Sequence, residues 1–177
     1  METKRMLLIA RPAPDEFAPY YGRYIDLVKD DILGALRENG EETRRLLASL
    51  PDTKADFRYA PEKWSVKEVV GHMTDAERIF TYRALRFARA DETPLPGFDE
   101  NSFVEESRFS QRSLSSLLDE FRTVRAASIA FFENLDEAAW NQAGVANDVR
   151  MSVRAIAFAI AGHELHHRKI LVERYGV

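Results

Sequence analysis

The sequence predicts an all-α protein built as a four-helix bundle. Four long segments repeat apolar residues at i, i+3 and i+4, the spacing that places them on one face of a helix. No segment alternates with period two for long enough to indicate a sheet. Proline and glycine gather in a few connectors between these segments, which makes an antiparallel bundle the natural architecture.

Composition fits a single domain over residues 1–177, with residues 1–14 as an extended N-terminal arm. The chain is 45% hydrophobic, which is enough to bury a sizeable core. Its acidic and basic residues are interspersed and give a net charge of -4, so no basic stripe is available to bind nucleic acid. No apolar run approaches the ~20 residues that cross a bilayer. We therefore expect a soluble protein with neither nucleic acid nor membrane as a partner.

Cysteine is absent from the sequence. Disulfides and thiolate metal sites are therefore excluded, and a nucleophilic sulfur must arrive on a substrate. The apolar run that follows Lys4 and Arg5 is shorter than a signal-peptide core and lacks a small-residue cleavage pattern. These features favour a reducing, cytoplasmic location.

The first two helices follow the proline-rich stretch Arg11 to Pro14. A short helix with an apolar face comes first, formed by Tyr21, Tyr24, Ile25 and Val28. Asp30 is expected to cap a longer second helix, whose apolar face runs from Ile32 to Leu50 before Pro51 ends it.

A capping box marks the start of the next long helix. In Ser65-Val-Lys-Glu68 the serine side chain can accept the amide of Glu68, and the glutamate can reach back to the amide of Ser65. Trp64 precedes the cap and is expected to pack on Val69. The apolar face then predicts a helix that ends at about Arg89.

The second half of the chain predicts a long loop and two more helices. Residues 91–112 are rich in polar residues, proline and glycine, which is typical of a long, partly ordered surface loop, often a lid. Helical spacing resumes from about Leu114 to Leu135. Ser152 is a suitable cap for the last helix, which carries apolar residues as far as Leu171.

Histidines are the chemical signal in this sequence. Three of the four lie together, at His163, His166 and His167. On a helix, His163 and His167 lie about 40° apart in projection and about 6 Å apart along the axis, so their rings can share one ion. Both continue the apolar stripe that faces the bundle, whereas His166 points away from it. Because a catalytic metal site usually has three protein ligands, we expect His72, on a facing helix, to be the third.

Three neutral imidazoles would leave the full charge on a divalent ion. A water or thiol bound there would lose its proton near neutral pH. Zinc, nickel, iron and copper all accept such ligands. The nearby carboxylates of Glu68, Asp75 and Glu164 are candidates to orient the histidines.

Two stretches resemble the DinB-like, YfiT-like superfamily. They are Trp-Ser-Val-Lys-Glu-Val-Val-Gly-His at 64–72 and Gly-His-Glu-Leu-His-His at 162–167. The family pattern has a Trp-Ser start, a histidine on the second long helix and His-x-x-x-His on the last. The similarity extends over nearly the whole chain, including the Leu-Pro-Gly-Phe-Asp loop at 95–99.

This resemblance implies a four-helix bundle with up-down-down-up connections, and His72, His163 and His167 as the metal ligands. It also implies a homodimer. Characterised relatives include metal-dependent transferases and isomerases that use low-molecular-weight thiols such as bacillithiol or mycothiol, and many members have no assigned reaction.

Two other interpretations of the histidines remain open. Residues 163–167 also match His-Glu-x-x-His, the zinc-protease motif in which Glu164 would be the general base. Such proteases usually take a third ligand downstream, yet no histidine follows His167, and no strand is predicted that could bind a peptide. Alternatively, the histidines are ordinary hydrogen-bonded groups of the core or surface. We consider His166 structural.

Several other polar residues have both a functional and a structural interpretation. Arg83 and Arg125 could bind an anionic substrate near the ion, but a buried or snorkelling ion pair is favoured. Asp99 could cover the metal or simply cap a turn. An aromatic stripe at helical spacing is more often core than pocket lining; here it is formed by Tyr20, Tyr21 and Tyr24.

The sequence thus predicts an enzyme that depends on a divalent ion such as Zn, Ni or Fe. The expected reaction transfers or conjugates a low-molecular-weight thiol, as co-substrate, to a small electrophile. Alternatives are a metal-dependent hydrolase and a dimeric metal-binding or ligand-binding module without catalysis. No residue stands out as the general base.

Overall fold

A computed structural model describes residues 9–177 of the chain. Across these residues the secondary structure consists of eight α-helices, one β-hairpin and two short 3-10 turns. In chain order the helices and strands are α1 (Pro19–Ile25), α2 (Ile32–Leu47), α3 (Asp52–Ala55), α4 (Val66–Ala88), α5 (Glu100–Glu106), α6 (Leu114–Phe132), α7 (Glu137–Asn141), β1 (Ala143–Ala146), β2 (Val149–Ser152) and α8 (Val153–Tyr175).

Side-chain caps fix where the long helices begin. Ser65 Oγ accepts from the amide of Glu68, and the Glu68 carboxylate accepts from the amide of Ser65 at 2.6 Å, as the capping box predicts. Ser152 caps α8 as expected. The cap of α2 is Asp31 and not Asp30, so that prediction was wrong by one residue.

The bundle is formed by α2, α4, α6 and α8, with α2 and α4 each packed against both α6 and α8. Helices α4 and α6 are parallel, because Arg78 contacts Glu120 and, further along both helices, Thr81 contacts Ser128. Helices α4 and α8 are antiparallel, because the Tyr175 hydroxyl at the end of α8 donates to a carbonyl just before α4.

Helices α2 and α8 are also parallel. The early residues Ile32 and Ile156 belong to one hydrophobic cluster, and the late residues Leu47 and Leu171 belong to another. The order of directions is therefore up-down-down-up, which confirms the four-helix fold and the connections that the resemblance implies. Because α4 and α6 are parallel, the segment that joins them runs from one end of the bundle to the other, and this segment forms part of the wall of the site described below.

A polar layer separates the two hydrophobic clusters. Glu77 is flanked on α4 by Met73 of one cluster and Phe80 of the other, and it is buried. Both clusters are rich in large side chains with almost no exposed surface. Burying each of these contributes about 1.5–3 kcal/mol to folding.

The connection between α4 and α6 is more ordered than the sequence suggests. It contains α5 and a 3-10 turn, and its apolar residues Leu95, Val104 and Phe109 are buried. Phe109 packs directly over Gly71, where an added Cβ would lie 2.4 Å from its ring. The predicted loop is therefore a folded segment that closes one side of the bundle.

The expectation that the chain has no strand was wrong. Strands β1 and β2 pair antiparallel, with Ala143 opposite Ser152, and Leu95 adds a single bridge to Ala146. Each strand is only four residues long, too short for a period of two to be visible. Asn147 and Asp148 both have positive φ, as a two-residue hairpin turn requires.

The predicted N-terminal arm lies partly outside the described residues, which begin at Ile9. Residues 9–13 form neither helix nor strand. Ile9 is buried in the core, and Arg11 donates to the carbonyl of Ile25 at 2.9 Å. As for membrane insertion, the helices of the described region are all too short or too polar to cross a bilayer.

Candidate metal centre

The structure brings His72 of α4 together with His163 and His167 of α8. The Nε2 atom of His163 lies 3.1 Å from that of His72 and 3.0 Å from that of His167. One potential ligand atom from each residue lies within 4.8 Å of the other two. The three imidazoles therefore converge on one point, although His72 is 91 residues from His163 in the chain.

The arrangement fits a divalent ion. A tetrahedral ion that binds nitrogens at about 2.0–2.1 Å holds them about 3.3 Å apart, close to the contacts found here. Nε2 of His163 faces both other nitrogens, and a cation is the one partner that satisfies three lone pairs at once. Nitrogen ligands of this kind are acceptable to zinc, nickel and iron alike.

Burial keeps the histidines in the form that binds metal. Removal from water lowers the pKa of His72 to about 4. It also holds the pKa values of His163 and His167 well below the usual value, and the neighbouring histidines lower them further. All three rings are therefore neutral at physiological pH, with lone pairs free for coordination.

Aromatic rings hold the imidazoles in place. The ring of Trp64 lies 4.6 Å from that of His72, and the edge of Tyr24 packs at 5.4 Å from His163. The sequence predicts that Trp64 packs on Val69. In the structure its ring lies against His72, which is about one helical turn further along α4. The rings restrict rotation of the imidazoles, which preserves the convergence of their nitrogens.

Tyr24 reaches the triad because α1 lies unusually close to α8. A Cβ added at Gly162 would lie 2.0 Å from the carbonyl oxygen of Tyr24. Only glycine permits this contact between two backbones. The residue beside His163 therefore determines how near the first helix comes to the site.

The triad lies in the wall of a cavity of about 380 Å³. Its walls come from α1, α4, α8, the segment after α4 and the β-hairpin, and they include Tyr21, Phe80, Phe98, Asn147 and Val149. The cavity reaches the surface, since exposed Tyr20 and Glu100 also line it. This volume suits a molecule of metabolite size.

Several cavity residues differ from their predicted roles. Tyr20, Tyr21 and Tyr24 all line the cavity, while Tyr24 is also buried in the core and Tyr21 packs against a hydrophobic cluster, so the stripe serves both as core and as pocket lining. His166 lines it too, with its ring 5.3 Å from that of Tyr24. Phe98 was not singled out, because it lies in a segment with no periodic pattern.

Glu164, the base of the protease interpretation, does not line the cavity. It is buried, and its Oε2 accepts from Arg125 Nη1 at 2.7 Å. Arg125 also donates two hydrogen bonds of 2.9 Å to the carboxylate of Glu77. The motif glutamate therefore belongs to a buried ion cluster, which places it outside the site where a base would act.

The other two carboxylates expected to orient histidines have different partners. Glu68 completes the capping box and pairs with Arg58 at 2.7 Å. Asp75 pairs with Arg78 at 3.1 Å. Among the hydrogen bonds of residues 9–177, neither carboxylate contacts a histidine of the triad.

The two arginines that the sequence grouped together, Arg83 and Arg125, have different surroundings in the structure. Arg125 is a buried ion-pair residue, as favoured, whereas Arg83 lines the cavity and has no carboxylate partner among residues 9–177. Asp99 caps α5 by accepting from Ser102 N at 2.8 Å, which is the structural alternative.

Sequence comparison places the chain in a family. Residues 35–171 match the family model described as the DinB superfamily. The chain belongs to the DinB superfamily. A comparison with curated protein sequences finds no match for this DinB protein.

Two solved structures share the fold of this DinB protein. YfiT from Bacillus subtilis, described as a probable metal-dependent hydrolase with an unusual four-helix bundle topology, has a TM-score of 0.75 and 19% identity, with 95% of each chain covered. A mycothiol-dependent maleylpyruvate isomerase has a TM-score of 0.66 and 11% identity, over 81% of this chain and 61% of that one. At these identities the similarity establishes the fold alone.

Proposed function

We propose that this DinB superfamily protein is a metal-dependent enzyme that transfers a low-molecular-weight thiol to a small electrophile. His72, His163 and His167 would hold the divalent ion. The observation that carries the proposal is the convergence of three neutral imidazoles in the wall of a cavity open to solvent. Three protein ligands leave a position for substrate, as in catalytic sites, whereas structural sites are closed by a fourth.

In the site held by His72, His163 and His167, a divalent ion would supply a lowered pKa to a thiol or water bound beside it. The chain itself contributes the surroundings. Tyr21, Phe80 and Phe98 give the cavity aromatic walls, which lower the local dielectric constant and strengthen electrostatic interactions beside them. Trp64 and Tyr24 keep two of the imidazoles in position.

The carboxylates favour a thiol over water as the nucleophile. Hydrolysis commonly uses a general base beside the attacking water. Glu164 is paired with Arg125, and the carboxylate that does line the cavity, Glu100, is exposed at its mouth. A thiol is more acidic than water, so its deprotonation beside a divalent ion would not need such a base.

The description of YfiT as a probable metal-dependent hydrolase supports hydrolysis as the second candidate, and that of the isomerase supports thiol chemistry. A conjugation assay separates them. Purified protein is incubated with a chromogenic electrophile and cysteine, bacillithiol or mycothiol, and in parallel with a chromogenic ester alone. Thiol-dependent product supports the proposal, and ester cleavage without any thiol supports the hydrolase.

Metal analysis tests the ligands directly. We expect about one equivalent of divalent ion in the wild type and a loss of most of it in His72→Ala and His163→Ala. His166→Ala is the matched control, because this histidine lies beside the triad but outside it, and it should retain the ion. Unchanged metal content in both triad variants would overturn the proposal. Loss of metal with no reaction of any thiol or ester would favour a non-catalytic binding module.

A further inference from the structure

Arg83 is a buried cation in the wall of the cavity. It lies on α4, its exposed fraction is 5%, and its Nη2 donates one hydrogen bond of 3.0 Å to the carbonyl of Pro96. The phenol of Tyr21 adjoins it. Within residues 9–177 no carboxylate lies at ion-pair distance from its guanidinium, which leaves most of its five N–H donors without a charged partner.

Arg125 shows how this bundle ordinarily accommodates a buried guanidinium. Its exposed fraction is also 5%, and it binds the carboxylates of both Glu77 and Glu164. An unpaired buried charge is costly, and folding alone gives no reason to retain it. Desolvation accordingly lowers the pKa of Arg83. The cost is explained if an anion binds there in the working protein.

The surroundings of Arg83 favour an oxyanion. Its Cζ lies 5.8 Å from the ring centroid of Phe80 and 5.9 Å from that of Phe98. Apolar walls strengthen a charge interaction by lowering the local dielectric constant. The planar guanidinium also matches the paired oxygens of a carboxylate or phosphate group.

Arg83 and the histidine triad line the same cavity, and Phe80 lies between them. The Phe80 ring centroid is 5.8 Å from Arg83 Cζ and 6.4 Å from the ring centroid of His163. One small molecule can therefore contact both. At the mouth, exposed Arg23 and Glu100 carry opposite charges, so Arg83 supplies the net positive charge of the interior.

We infer that Arg83 binds a carboxylate or phosphate group of the small molecule whose other end reaches the histidine triad. The substrate class is thus an anionic metabolite with its reacting group and its oxyanion at opposite ends. The role of the reacting end rests on the proposed function. The anion site itself rests on Arg83 alone and is testable without any reaction.

Calorimetric titration of the full-length protein with succinate, inorganic phosphate and neutral succinamide tests this inference. The protein is used as purified and again after removal of metal with a chelator. We expect succinate or phosphate to bind at least about ten-fold more tightly than succinamide in both preparations. Succinate preference indicates a carboxylate substrate, and phosphate preference a phosphorylated one.

Three variants complete the design. Arg83→Gln should abolish the preference for the anion, and Arg83→Lys should keep part of it because it keeps the charge. Arg23→Gln removes the same charge from the rim and should change affinity by no more than a few fold. Circular dichroism and thermal unfolding of Arg83→Gln and Arg83→Lys establish that each is folded.

Four results would overturn the assignment. The first two are a wild-type protein that does not prefer the anion and an Arg83→Gln variant that binds it as tightly as the wild type. The other two are an equal loss of anion affinity in Arg23→Gln, and anion binding that disappears on chelation and is unaffected by substitution of Arg83. A different set of results would contradict the proposed function and leave the anion site intact. In that case the triad variants keep their metal or no reaction is found, while the anion still binds the chelated protein through Arg83.

Discussion

At the scale of residues, Glu164 shows that a motif can be present while its usual chemistry is absent. The residue stands where a zinc-protease base would stand, yet it is 1% exposed and bound to Arg125. Its Oε1 atom has no partner among the described residues. Glu77 adds a second carboxylate to the same guanidinium. The cluster therefore joins α4, α6 and α8 behind the histidines.

Arg125→Leu should destabilise the protein strongly. The change leaves Glu77 and Glu164 buried without their cation, and loss of one member of a buried ion pair costs about 3–5 kcal/mol. Urea unfolding at neutral pH measures the free energy of unfolding. Arg44→Leu is the control, because its pair with Glu41 is exposed and should contribute no more than about 1 kcal/mol. Equal effects of the two variants would contradict a structural role for the cluster.

The candidate site could be predicted from the sequence only where the residues share a helix or a distinctive type. His163 and His167 are recognisable from their spacing, and His72 is recognisable because histidine is rare in this chain. The approach of Arg83 to Phe98 has no such signal. It depends on the tertiary fold, which places the non-periodic segment between α4 and α5 against α4.

At the scale of elements, the short helix α1 contributes most to the site for its length. Its seven residues supply Tyr20, Tyr21 and Tyr24 to the cavity. Its position depends on the contact of its backbone with Gly162. A change in α8 at this point therefore alters the cavity without touching a candidate ligand.

Gly162→Ala should push α1 away from α8. An added methyl group collides with the Tyr24 carbonyl, and overpacking of this kind costs about 1–3 kcal/mol. Thermal or urea unfolding measures the loss. Gly22→Ala is the matched control within α1, because the nearest atom to its added Cβ is 3.8 Å away and alanine favours helix. A Gly162→Ala protein as stable as the wild type would refute the close contact.

Tyr175 links the end of α8 to the start of α4. Its hydroxyl donates to the Trp64 carbonyl at 2.6 Å, and burial raises the pKa of Tyr175 to about 12. Because the pKa is higher in the folded than in the unfolded chain, the stabilisation is complete below about pH 10 and is lost as the pH rises towards 12.

Tyr175→Phe should therefore be less stable than the wild type at pH 8, by about 0.5–1.5 kcal/mol for the lost hydrogen bond. The difference should shrink between pH 10 and 12. Unfolding by urea across this range measures it, with Tyr82→Phe as an exposed control. Parallel pH curves for wild type and Tyr175→Phe would contradict the expectation.

The long helices could be predicted because each has both a periodic apolar face and a side-chain cap. Ser65 and Ser152 mark two of the four starts in the sequence, and the structure shows that Ser113 caps a third. The hairpin and α5 were missed for a physical reason. They are short, and they are stabilised by packing against α4 and by the bridge from Leu95, which local sequence does not reveal.

At the scale of the whole molecule, we propose that the protein is a homodimer, as the family resemblance implies. Sedimentation velocity of the full-length protein at micromolar concentration should give about twice the mass of the 20.3 kDa chain. The measurement is made with and without added divalent ion. A monomer under both conditions would contradict the proposal.

The separation of the histidines along the chain has a consequence for the lifetime of the folded protein. His72 and His163 are 91 residues apart, so an unfolded chain presents no ready site for the ion. An ion that binds the native state alone shifts the folding equilibrium by mass action, and proteases act on the unfolded fraction. If the triad holds an ion, as we propose, scarcity of that ion would therefore shorten the survival of the polypeptide.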